Sequence, residues 1–139
     1  MFFPISDDNP SNSSPIVTYF LIGFCLFVFF LQILSEMNPS IYYNFGFIPS
    51  NFFNSASFLE AFFPVITSMF VHGGFAHIIG NLLYLWIFGD NVEDSMGKLK
   101  FFIFYILCGT SGALLQGIVD PNSNIPMVGA SGAIAGVLG

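Results

Sequence analysis

The sequence predicts an all-α protein, a polytopic bundle of membrane helices, and three observations carry the prediction. Only 7% of the 139 residues are charged against 55% hydrophobic, whereas a soluble domain carries about a quarter of its residues as Asp, Glu, Lys or Arg. The mean hydropathy is +0.79. Residues 16–34 and 101–119 are runs without a single charge, each about 28 Å long as a helix, which matches the hydrocarbon thickness of a bilayer.

Residues 1–15 are polar, with Asp7, Asp8 and Asn9 among serines and prolines, and lack the basic opening of a signal peptide. They read as an N-terminal tail, and residues 16–139 as the membrane domain. The first span is residues 16–34. Residues 37–71 form a long connection rich in Phe, Tyr, Asn and Pro, suited to the headgroup zone or to packing on the bundle; a plain interfacial loop and a functional gate both fit it. Within it, Ser57-Phe58-Leu59-Glu60 fits a capping box that starts a short helix, and Pro64 is expected to limit that helix.

Residues 75–88 are apolar but short for a full span, and His72-Gly73-Gly74 precedes them. A helix that begins below the membrane surface satisfies this if its entrance is buried in protein, because unpaired backbone cannot face hydrocarbon. It could continue through Gly89 towards Met96. Residues 90–100 read as a polar turn, residues 101–119 as the next span, and residues 120–126 as a loop. A fourth helix starts near Ser131, but the stretch to Gly139 falls well short of the roughly 20 residues a crossing needs. The membrane domain is therefore expected to be incomplete, truncated within its fourth transmembrane helix.

Charge excludes some functions and orients the chain. Eight acids face only Lys98 and Lys100, a net charge of −6, so nothing can neutralise phosphates and nucleic acid is no partner. Both lysines lie between the second and third spans, which places that loop and the N-terminus in the cytoplasm and Ser131 towards the outside. Cys25 and Cys108 sit in apolar runs and define neither a disulfide framework nor a metal site.

The chemistry-bearing residues are few. Ser131 lies among Gly129, Ala130, Gly132 and Ala133 at a helix start, where unpaired backbone N–H groups would stabilise an anion. It also reads as a plain helix N-cap, with Gly132-x-x-x-Gly136 as small-residue helix packing. His77 and Asn81 are four residues apart and share a helical face; they could bind an oxyanion forming at Ser131, or simply hydrogen-bond between helices. His72 is five positions from His77, off that face, and no Glu follows either in a His-Glu-x-x-His pattern, so a zinc site is disfavoured. Asp90 has no second aspartate within a span to form an aspartyl-protease dyad. Gly129-x-Ser131-x-Ala133 departs from the Gly-x-Ser-x-Gly elbow of soluble hydrolases.

Together these residues resemble the rhomboid family of intramembrane serine proteases. The likeness runs from Thr67 to Gly139, through T-S-M-F-V-H-G-G-F-A-H-I-I-G-N, G-D-N-V-E and V-G-A-S-G-A-I-A-G-V-L-G. The combination of His-x-x-x-x-His-x-x-x-Asn with a later Gly-x-Ser-Gly is specific, although each alone would be weak. The resemblance implies a six-helix core that cleaves transmembrane segments of other membrane proteins with a Ser–His dyad, without metal, nucleotide or other cofactor. It implies Ser131 as nucleophile and His77 and Asn81, with the Ser131 N–H, as oxyanion donors. His72 would be a supporting residue, Gly129 and Gly132 would flank the nucleophile, and Glu93 would be a structural acid. The dyad histidine belongs to a later helix, so the chain as given is expected to lack its general base and be inactive. The family's frequent Trp-Arg before this motif is replaced by Phe63-Pro64. The alternative is a rhomboid-like protein that binds membrane helices and does not cut, and the remaining expectation is a multi-pass protein of a bacterial inner membrane.

Overall fold

The computed structural model describes residues 13–139, so the expected polar tail lies mostly on residues 1–12, outside the described residues. Among the described residues there are seven helices and no strand. Two of them, α1 (Ile16–Leu34) and α6 (Lys98–Val119), are long and apolar enough to cross a membrane. The α1 bounds are those expected from its charge-free run. Beyond it, Glu36 and Met37 adopt left-handed backbone (φ 54° and 53°), and the N–H groups of Ser35, Glu36 and Met37 turn back onto the carbonyls of Leu31, Ile33 and Gln32. The last turn of α1 is thereby closed without a glycine.

The long connection folds into three short helices, α2 (Ser40–Phe45), α3 (Pro49–Asn54) and α4 (Phe58–Thr67). Ser57 caps α4 as expected, accepting from the Glu60 N–H at 3.5 Å. Pro64 lies inside the helix, which ends within one turn of it at Thr67. Proline removes one backbone bond, but the next turn is held by the wholly buried Val65, which packs in a cluster with Phe47 and Ala113. The Ser68 N–H still reaches the Pro64 carbonyl at 3.0 Å.

Helix α5 spans Phe75–Met96, 22 residues, or about 33 Å. It therefore continues to Met96, as the sequence allows, absorbs most of the polar stretch of residues 90–100, and leaves Gly97, at a φ of 81°, as the connection to α6. The reason is that Glu93 is not solvated; it is buried against α1. Gly89 permits the approach, because a methyl group there would lie 3.0 Å from the Thr18 methyl.

Polar clamps at both ends fix α1 antiparallel to α5. At one end, the Glu93 carboxylate accepts from the Val17 and Thr18 N–H groups and the Thr18 hydroxyl, at 3.0, 2.8 and 2.8 Å. At the other, Gln32 pairs with the main chain of His72. The final helix, α7 (Ser131–Leu138), runs antiparallel to α6 and lies backbone to backbone with it. A methyl group on Gly112 would lie 3.1 Å from the Gly132 Cα, and one on Gly136 would lie 2.6 Å from the Cys108 Cβ. Between membrane helices the surrounding lipid is as apolar as the side chains, so such close packing carries the association. The core beneath joins Leu21, Leu85, Phe101, Tyr105, Ala133 and Ile134.

Candidate active site

The site forms where α5 and α7 both begin, at the end of the bundle opposite Lys98 and Lys100. Its floor is the segment before α7. Met127 exchanges two backbone hydrogen bonds with Phe47, at 2.8 and 2.9 Å, and the Gly129 N–H donates to the Ser68 carbonyl at 2.8 Å. The long connection is thus neither a free loop nor a detached interfacial one, because it anchors the strand of chain that leads into Ser131.

Gly129 adopts φ +111°, a conformation open to glycine and strained for other residues. It is also the place where α5 meets α7. A methyl group at this position would collide with His77 Nε2 and lie 2.6 Å from His77 Cε1 and 3.4 Å from Asn81 Nδ2. The shared face of His77 and Asn81 is therefore turned onto the backbone two residues before Ser131. The Asn81 Nδ2 is buried and, among the described residues, has no hydrogen-bond partner. Such an amide costs stability unless something else accepts from it.

Ser131 is exposed and is the first residue of α7; the N-cap is Ala130. The plain reading of Ser131 as N-cap is thereby corrected. The turn from Met127 to Ala130, pinned to Phe47 and Ser68, already sets the helix entry one residue earlier. The first helical bond runs from the Ile134 N–H to the Ala130 carbonyl at 2.9 Å. Among the described residues neither His77 nor Asn81 is hydrogen-bonded to the Ser131 hydroxyl; both meet Gly129. Gly132 lies against α6, supplying the close packing already described.

His72 is fully buried in the connection before α5. Its Nδ1 lies 3.1 Å from the Phe70 carbonyl; a carbonyl only accepts, so Nδ1 carries the proton. Burial pushes its pKa down to about 4, against a smaller upward pull from that bond, with His77 nearby lowering it further. The imidazole rings of His72 and His77 are in edge contact, centroids 5.4 Å apart. Their five-residue spacing had implied separation along a helix, but His72 precedes α5 and the chain folds back at Gly73-Gly74. Among the described residues there is no group of His, Cys, Asp and Glu able to hold a metal.

A helical membrane bundle that gathers a serine, a histidine and an asparagine at one end defines a class, and comparison with known proteins supplies the family. The model of the Rhomboid domain matches residues 59–139. The chain belongs to the rhomboid family. Rhomboid protease GluP of Bacillus subtilis is 30% identical over 130 residues, covering 92% of this chain and 24% of that protein. Rhomboid-like protein 11, chloroplastic, of Arabidopsis thaliana is 29% identical over 116 residues, covering 84% and 36%. RHOMBOID-like protein 5 of the same plant is 33% identical over 75 residues, covering 54% and 24%. The chain thus spans between about a quarter and a third of the length of these relatives. Like them it is a membrane protein of a family that includes proteases.

Proposed function

We propose that these residues form the nucleophile and oxyanion half of an intramembrane serine endopeptidase that cleaves transmembrane segments of other proteins. The observation that carries the reading is the turn of His77 and Asn81 onto Gly129, two residues before an exposed serine at a helix start. In this reading Ser131 Oγ attacks the scissile carbonyl and its proton passes to a general base. The negative charge on the carbonyl oxygen is met by His77 Nε2–H, Asn81 Nδ2–H and the Ser131 N–H. Collapse of that intermediate expels the amine, protonated by the same base, and water then hydrolyses the acyl-enzyme. Neither His72 nor His77 is assigned as that base, since His72 is buried against the Phe70 carbonyl and His77 faces Gly129.

The proposed orientation has the N-terminus in the cytoplasm and Ser131 towards the outer side of a bacterial inner membrane. The placement of both lysines at the end opposite Ser131 supports it. The competing reading, a rhomboid-like protein that binds helices without cutting, is separated by one experiment. The intact protein is treated with a fluorophosphonate probe and offered a membrane-anchored substrate. Labelling and cleavage that both disappear in Ser131→Ala establish the protease; binding of substrate with neither labelling nor cleavage establishes the rival.

A further inference from the structure

We propose that Gln32, on α1, is a positioning residue that sets the tautomer of His77. The proposal rests on the reading of His77 as an oxyanion donor. Gln32 is buried at 1% exposure inside the apolar α1, where an amide is expensive and is turned to a partner. Its two polar atoms pair with one residue. Oε1 accepts the His72 N–H at 3.0 Å, and Nε2 donates to the His72 carbonyl at 2.8 Å.

That carbonyl belongs to the peptide unit whose N–H is that of Gly73. A trans peptide is planar, with its C=O and N–H on opposite edges. Gln32 therefore holds one edge, and the other presents the Gly73 N–H to His77 Nδ1 at 3.3 Å. Donation to the oxygen also polarises the unit and makes its N–H a better donor. Because Nδ1 accepts, the proton of the neutral His77 ring sits on Nε2, the atom that lies against Gly129. A residue on the first helix thus decides whether α5 offers the site a donor or a lone pair.

The test follows the His77 ring nitrogens by 15N NMR of histidine-labelled intact protein in bilayers, the His77 signals being assigned by their loss in His77→Gln. The unmutated protein should show Nε2 protonated and Nδ1 bare; the reverse overturns the proposal without any variant. Gln32→Met keeps the volume and removes both bonds. It should yield mixed tautomers and lower kcat by between about 10- and 100-fold with KM nearly unchanged. Thr18→Val, which weakens the clamp at the other end of α1, should cost stability while leaving the tautomer as in the parent. If Gln32→Met retains the parent tautomer and kcat, the proposal fails. If the parent cleaves nothing yet Gln32→Met still shifts the tautomer, the positioning stands and the protease reading falls.

Discussion

Glu93 and Thr18, 75 residues apart in sequence, form a single capping unit: one carboxylate oxygen of Glu93 accepts both the backbone N–H and the hydroxyl of Thr18 at 2.8 Å. The first turn of a helix has N–H groups with no intrahelical partner, and here a neighbouring helix satisfies them where α1's own N-cap, Pro15, cannot. Charge-assisted bonds to a buried carboxylate are strong, and removing the acceptor strands the donors. Glu93→Ala should therefore destabilise the fold by roughly 2–4 kcal/mol, read as a lowered unfolding midpoint in detergent micelles. An unchanged midpoint would mean the clamp contributes nothing.

Gly129 is set to be the least tolerant position in the site. Gly129→Ala imposes the strain of a non-glycine residue at φ +111°, about 1–3 kcal/mol. It also drives a methyl group into His77 and towards Asn81. Cleavage by the intact protein should fall by at least about 100-fold, with a measurable loss of stability. An alanine variant of parental activity would show that the oxyanion site lies elsewhere.

Much of this arrangement was legible in the sequence. The bounds of α1 follow from an uninterrupted apolar run, and the 3.6-residue period alone places His77 and Asn81 on one face. What escaped was long-range. The polar residues from Asp90 onward allow either a turn or a helix continuing towards Met96, and sequence does not reveal that Glu93 is held by donors near residue 18. The capping and clamping partners, Thr18 and Gln32, are separated from Glu93 and His72 by 75 and 40 residues. Their only local signal is polarity inside a membrane run, which could have marked both. The α7 start at Ser131 follows the sequence reading, but its N-cap falls on Ala130 because backbone bonds from Phe47 and Ser68, invisible locally, fix the turn ahead of Ser131.

Asn81 should separate activity from stability. Its Nδ2 is buried with no partner among the described residues, so its removal strands none of them and relieves an uncompensated amide. Asn81→Ala should lower kcat by about 100- to 1,000-fold, the usual cost of one oxyanion donor, with KM little changed. Its unfolding midpoint should be equal to or above that of the parent. A variant that loses stability and activity together would make Asn81 a structural residue.

His72 gives the fold a specific sensitivity to acid. Burial holds its pKa near about 4, below the ordinary 6.5, so between those values the unfolded chain binds a proton that the folded chain refuses. Stability then rises with pH across this window. The full contribution is present above pH 6.5 and is lost as the pH falls towards 4, to at most about 3 kcal/mol. Carboxylates titrate in the same range, so the decisive quantity is the difference between the parent and His72→Gln, whose side chain can still donate but takes up no proton. Unfolding midpoints measured in micelles at pH 7, 5.5 and 4.5 should fall more steeply for the parent, with the two curves converging as the pH drops. Parallel curves would show that His72 is protonated equally well folded and unfolded, and that its burial imposes no electrostatic cost.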